Sequence, residues 1–213
     1  MDTLQALSLA MGTAWTSGIN LYATVAALGI AGQMDMIHLP PDLQVLTHPG
    51  VIAVACVMYV IEFFADKVPY VDNGWDVLHT FIRVPAGAIL AARALGDVNP
   101  ALEFAAVLAG GTVALAAHGT KMATRLALNV SPEPFSNWFA SIAEDLTVLG
   151  SIWMIFHHPM LMLLLIVFFL ALVIWLVPKL LRLAKRGFQA LRNRLRGVKP
   201  DQPAAPNGST ELG

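Results

Sequence analysis

Six long apolar runs separated by short polar stretches set the pattern of this chain. They extend over Leu4 to Ile30, about Pro49 to Asp66, Asp76 to Ala94, Ala101 to Leu128, Phe135 to Phe156 and Met160 to Val177. A helix needs about 20 apolar residues to cross a hydrocarbon core, so each run predicts a transmembrane helix. The expected fold class is an all-α polytopic bundle of about six spans. In the middle of the first run, Thr16-Ser17-Gly18-Ile19-Asn20 places a glycine among hydroxyl and amide side chains. Such a stretch suits either a kinked or unwound helix facing protein or close helix packing through small residues. Packing is the better account of Ser17 and Gly18, whereas Asn20 fits a functional role as well as a structural one.

After the sixth run the pattern changes. Pro178 is expected to interrupt the helix, and in KLLRLAKRGFQALRNRLRG the apolar residues recur at helical spacing against a basic face. That pattern predicts an amphipathic helix on the membrane surface. Its cations Lys179, Arg182, Lys185, Arg186, Arg192, Arg194, Arg196 and Lys199 would meet anionic lipid. The domain organisation is thus a transmembrane domain over 1–178, a basic juxtamembrane helix over 179–199 and a polar tail over 200–213, expected to be disordered.

Composition agrees with the pattern. Of the 213 residues, 57% are hydrophobic and only 13% charged, against about 25% charged in a soluble domain. The net charge of −1 conceals the basic tail. Under the positive-inside rule, that tail puts both termini of a six-span protein in the cytoplasm, in the cell's inner membrane. The start, Met1-Asp2-Thr3-Leu4, lacks the basic segment of a signal peptide, so the first run is expected to be retained as a span. The lone Cys56 cannot form an intramolecular disulfide and reads as a small buried hydrophobe.

The charges inside the runs carry the candidate chemistry. Sliding the chain on itself by about 63 residues pairs Pro69 with Pro132, Trp75 with Trp138 and Gly87 with Gly150. A repeat of two helical hairpins, about 57–95 and 120–158, is therefore expected. In this register Glu62 falls opposite Arg125, and Arg83 lies near the level of Asp145. A charge near the bilayer centre costs at least about 2.5 to 3.5 kcal/mol, so such residues pair or line a polar path. Expected partners are Glu62 with Arg83, and Arg125 with Asp145 or Glu144, with crossed pairs between hairpins also open. His79, four residues after Trp75, is expected close to Asp66, either as a satisfied interfacial histidine or as a proton-sensitive group.

The segments SGINLYATVAALGIAG, EFFADKVPYVDNGWDVLHTFIRVPAGA and HGTKMATRLALNVSPEPFSNWFASIAED resemble the signature blocks of an uncharacterised integral membrane protein family, DUF4126. The resemblance covers roughly Leu4 to Pro159 and implies a bacterial-type membrane protein, with no activity to carry over. The family's polar positions match here as Asn20, Glu62, Asp66, His79, Arg83, Lys121, Arg125, Ser136, Asn137, Glu144 and Asp145.

Two functions fit. The first is a small transporter or permeation protein for an ion, a proton-coupled solute or a lipid head group, with a charged site between two hairpins. The alternative is a non-catalytic scaffold or assembly factor whose charges are structural ion pairs. An enzyme is not expected. HExxH, GxSxG, Walker A and GxGxxG patterns are absent, and the histidines are too dispersed along the sequence for a metal centre. No cofactor is expected. The expected partners are membrane lipids and, through Gly110-Gly111 and the small-residue runs, a second copy of the chain, with no nucleic acid.

Overall fold

The computed structural model describes residues 2–68, 71–128 and 134–195, apart from some side chains of the C-terminal helix and those of 73 and 134. The helices are α1 (Thr3–Gln33), α2 (Pro49–Ala65), α3 (Val71–Ala94), α4 (Pro100–Leu128), α5 (Pro134–His157) and α6 (Pro159–Leu195), with a 3₁₀ turn over Pro41–Thr47 before α2. Proline opens four of them, at positions 49, 100, 134 and 159. Its fixed φ and missing N–H cost nothing at a first helical position. Asp2 accepts the Gln5 amide at 2.7 Å and Asn99 the Leu102 amide at 3.0 Å, capping α1 and α4.

Among the described residues, four helices are long and apolar enough to cross a membrane, or five if the 3₁₀ turn and α2, bent by 64°, form one span. The expected count of about six agrees loosely. Large side chains such as Phe81, Phe104, Phe139 and Phe168 stand exposed, as they do where the surrounding solvent is hydrocarbon.

α1 is the exception, and it organises everything else. It packs against α2, α3, α4 and α5, so its surface meets protein, and its buried face includes Ser8, Thr13, Thr16, Ser17, Asn20 and Thr24. The hydroxyls of Thr13, Thr16, Ser17 and Thr24 bond back to carbonyls three or four residues earlier in α1. α1 is also not one rod. Asn20 has φ −147° and ψ 100°, outside the helical region, and the two halves fold back on each other. Ser8 donates to the Ile155 carbonyl near the end of α5, while Gly29 lies against the Leu46 carbonyl just ahead of α2. Gln5, Met36, Ile37, His38 and His157 line one cavity. A straight helix of 31 residues would hold its ends about 46 Å apart, so both ends of α1 lie at one end of the bundle and Asn20 at the tip.

Small residues permit this packing. A Cβ on Gly18 would collide with the Ala114 carbonyl, one on Gly87 with Ala114 and Ser17, and one on Gly110 with Ala91. The first half of α1, α3 and α4 therefore meet backbone to backbone, as membrane helices do when lipid supplies no hydrophobic drive. By contrast, α2 and α3 barely touch, and neither do α4 and α5. Each hairpin is splayed, with α1 lodged against both of its arms.

The chain divides into two compact units, Met1–Val173 and Ile174–Gly213. α6 begins in the first, where Met162 and Ile166 are buried. It passes through Pro178 as one helix, so the expected interruption there does not occur. Proline is tolerated inside membrane helices, where small local backbone adjustments satisfy the groups it frees. In the second unit Lys179 Nζ sits 3.3 Å over the Trp175 ring. Lys179, Arg182 and Lys185 are exposed. The side chains of Arg186, Arg192 and Arg194, as well as Arg196, Lys199 and the tail 200–213, lie outside the described residues, as do Pro69 and Pro132.

Candidate functional site

Helical spacing gathers the charges. On α3, Asp76, His79 and Arg83 follow at intervals of three and four. On α4, His118, Lys121 and Arg125 do the same, and each set forms one stripe. The stripes meet Glu62 and Asp66 at the end of α2 and Glu144 and Asp145 on α5. The side chains of Glu62, Arg83 and Arg125 are completely buried.

Arg83 pairs with Glu62 in a short contact and reaches Asp76 Oδ1 at 3.4 Å. The same guanidinium donates to the Ile19 carbonyl at 3.2 Å and to His118 Nδ1 at 3.2 Å. Because an arginine cannot accept, His118 Nδ1 carries no proton. Its Nε2–H then donates to the Thr80 hydroxyl and the Asp76 carbonyl at 2.9 and 3.0 Å. His118 is thereby held as one neutral tautomer. Lys121 lies at the centre, its ammonium 3.2 Å from Glu62 Oε1, 3.0 Å from Asp66 Oδ2 and 3.2 Å from Glu144 Oε2.

Arg125 uses all five of its N–H groups. It grips Glu144 through Nε at 3.0 Å and an outer nitrogen at 2.8 Å, and reaches Asp66 Oδ2 at 3.3 Å. Its remaining donors hold the Asp66 carbonyl at 3.2 Å and the Asn137 carbonyl at 3.0 Å. One side chain of α4 thus ties the end of α2 to the first turn of α5. The pairs expected from sequence, Glu62 with Arg83 and Arg125 with Glu144, are both present, and crossed pairs join the two hairpins through Lys121 and Asp66.

The break in α1 faces this network with the appropriate polarity. The Asn20 side-chain oxygen accepts the Ala23 amide at 2.9 Å and so caps the second half-helix. The Ile19 carbonyl, at the negative end of the first half, meets Arg83. Asp145 sits at the positive start of the second half, where Asn20 Nδ2 donates to it at 3.2 Å. Its other oxygen accepts the Tyr59 hydroxyl of α2 at 2.7 Å. Asp145 is therefore not the partner of Arg125. The bidentate grip on Glu144, one residue earlier, takes that role.

His79 also differs from expectation. It stacks on Trp75 at 4.4 Å, donates from Nδ1 to the Trp75 carbonyl at 2.8 Å, and meets the Tyr22 hydroxyl at 3.1 Å. Tyr22 of α1 takes the place foreseen for Asp66, whose Oδ2 meets Lys121 and Arg125 instead. Asn137 and Ser141 are buried and Ser136 half-buried in the first turns of α5. Lys67, just past α2, lies over the Phe63 ring at 2.8 Å. Burial holds its ammonium below the usual lysine value, partly offset by Asp145 and Asp66.

Sequence reasoning missed Asp76, His118, Thr80, Tyr22 and Tyr59. The first two were legible as the seven-residue spacings to Arg83 and Arg125. The tyrosines gave no signal, because only the folding back of α1 makes them neighbours of His79 and Asp145.

The network opens on a cavity of about 270 Å³ between α1, α4, α5 and α6, bordered by Lys121, Glu144, Thr120, Thr124, Thr147 and Trp15. A second, apolar cavity of about 550 Å³ lies between α1 and the splayed arms of α2 and α3, with Tyr22 in its wall. Some buried atoms of the network have no hydrogen-bond partner among the described residues: Glu62 Oε2, Asp66 Oδ1, Asp76 Oδ2 and Arg83 Nε. Among the described residues no three His, Cys, Asp or Glu side chains are grouped so as to hold a metal ion.

No curated protein and no solved structure matches the sequence. One family model does, over residues 7–179, which takes in all the charged helices and α1. The chain belongs to that family, described as Domain of unknown function (DUF4126).

Proposed function

We propose that this is a small transport or permeation protein whose polar site lies at the tip of the folded-back α1. The observation that carries the reading is a discontinuous helix whose two half-helix ends meet a buried charge network that borders a cavity through Lys121 and Glu144. Transporters place substrate sites at such breaks, where freed backbone ends and helix dipoles supply ligand groups, and irregular backbone at membrane depth occurs where it faces protein or a water-filled path. The reading takes the protein as non-enzymatic and the basic tail as a lipid contact.

The fold-back of α1 also bears on topology. With both ends of α1 on one face, the N-terminus and the start of α2 lie on the same side of the bundle. The tail's cations favour the cytoplasmic face of the inner membrane for it. The helix limits support the two-hairpin repeat: α5 starts and ends 63 residues after α3 (134 against 71, 157 against 94), and α4 ends 63 after α2 (128 against 65). Equivalence of the two copies is only partial, since Gly87 is packed and Gly150 faces open space.

Proteoliposomes under imposed gradients of protons, potassium, sodium and chloride test the function. The wild type dissipates at least one of them, and Glu144→Gln slows that flux at least tenfold. A folded wild type that moves none of the four sinks the permeation reading for ions. The scaffold reading would then stand on the complete use of Arg125's donors, which is what a structural clamp requires.

A further inference from the structure

We propose that Asp145 is the proton-binding residue of this site, the carboxylate that takes up and releases a proton as the protein works. The inference rests on the transport reading and names its substrate class: a proton, alone or carried with a solute.

Asp145 is set apart from the other carboxylates of the cluster. Glu62, Asp66, Asp76 and Glu144 all lie within ion-pair distance of Arg83, Lys121 or Arg125, whereas among the described residues Asp145 has no such partner. Even with Lys67 counted beside Arg83, Lys121 and Arg125, five carboxylates face four cations. Glu144 adjoins it on its own helix. Tyr59 faces it from α2, Asn20 from α1, Lys121 from α4 and Lys67 from the segment after α2. The cluster therefore holds more negative charge than its cations balance, deep among apolar helices, where uncompensated charge is disfavoured.

A second observation is independent of that count. Glu62 Oε2, Asp66 Oδ1 and Asp76 Oδ2 are unpartnered oxygens on side chains at least 98% buried. Set against the one unpartnered donor, Arg83 Nε, these oxygens mark a network with more acceptors than donors, and a proton on Asp145 relieves its excess negative charge.

The immediate surroundings of Asp145 suit a proton rather than a metal cation. Both of its partners present donors, the Asn20 amide N–H and the Tyr59 O–H, where a cation would need further oxygen lone pairs. The Asn20 oxygen is taken by Ala23. On uptake, a proton from water bonds to Oδ2. The new O–H donates to the Tyr59 oxygen, whose own hydrogen turns away, and Oδ1 continues to accept from Asn20. Release reverses these steps. Neutralisation weakens the charge-assisted bond that holds the tip of α1 to α5, so protonation and the position of the half-helix are linked.

Infrared titration of the full-length protein in lipid nanodiscs reads the site without requiring transport. A protonated carboxyl band is expected to grow as pH falls, and Asp145→Asn, of the same shape, is expected to lose one component of it. Tyr59→Phe keeps the carboxylate, removes its hydroxyl partner and should move that component to a different pH. In proteoliposomes, Asp145→Asn should cut proton flux at least tenfold with the protein still monodisperse. If the band of Asp145→Asn equals that of the wild type, the proposal is overturned, whatever the flux. If the component is lost on substitution but the wild type carries no flux, the site stands and the transport reading fails. Sodium or potassium flux insensitive to pH and to Asp145→Asn would overturn the proposal and keep the transport reading.

Discussion

Arg125 offers the sharpest test of how the bundle is held. Replacing it with methionine keeps the length and apolar stem of the side chain and removes five donors and a charge. Glu144 and Asp66 each lose an ion pair, and the carbonyls of Asp66 and Asn137 lose their hydrogens. Breaking a buried pair from one side costs about 3 to 5 kcal/mol. The lower end applies here, because Lys121 still contacts both carboxylates. Arg125→Lys keeps the charge, yet one ammonium cannot reach two carbonyls and a carboxylate edge together. The lost bonds to the two carbonyls, at about 1 kcal/mol each, make a loss of about 2 kcal/mol. Reversible unfolding in lipid and mixed detergent measures both, and a double-mutant cycle with Glu144→Gln should return a coupling of about 2 kcal/mol. A loss below about 1 kcal/mol for methionine, with no coupling, would show that water already solvates the guanidinium and would refute the buried clamp.

Three further outcomes follow from the same geometry. Gly18→Leu should destabilise by about 1 to 3 kcal/mol or more, because its Cβ meets the Ala114 backbone. Gly119→Ala, in open space, should be neutral or stabilise by about 0.5 to 1 kcal/mol, and thermal unfolding separates the two. In a Cys56→Ser background, cysteines at Gln5 and His38 should react with an impermeant maleimide from one face and a cysteine at Lys67 from the other. Labelling of the Gln5 and Lys67 positions from the same face would contradict the folding back of α1. The Lys67 amine, its ammonium disfavoured by burial, should be acylated at lower pH than a lysine in an unfolded peptide. Phe63→Leu removes the ring beneath it and should extend that reactivity to lower pH still.

Most helix limits could be read from prolines and polar punctuation, because these act locally. The pairs Glu62–Arg83 and Arg125–Glu144 could also be read, since membrane depth and opposite charge leave few alternatives. The fold-back at Asn20 could not. Thr-Ser-Gly-Ile-Asn is compatible with a straight packed helix, and only the arms of four neighbouring helices decide between that and a hairpin. His79 was assigned to Asp66 for the same reason: its partner Tyr22 comes from the half of α1 that a straight helix would carry away. At Pro178 a local rule was overridden, as α6 continues through it.

The enclosure of α1 also bears on how the protein is made. α1 leaves the ribosome before α2 to α5, yet it is not among the helices apolar enough to settle in lipid by themselves. Its serines, threonines and Asn20 find their surroundings only once α2 to α5 exist. Membrane insertion must therefore hold α1 in a protected place, in the insertion machinery or at the bilayer surface, until the last hairpin arrives. α1 is made before the helices that enclose it and is set in place after them.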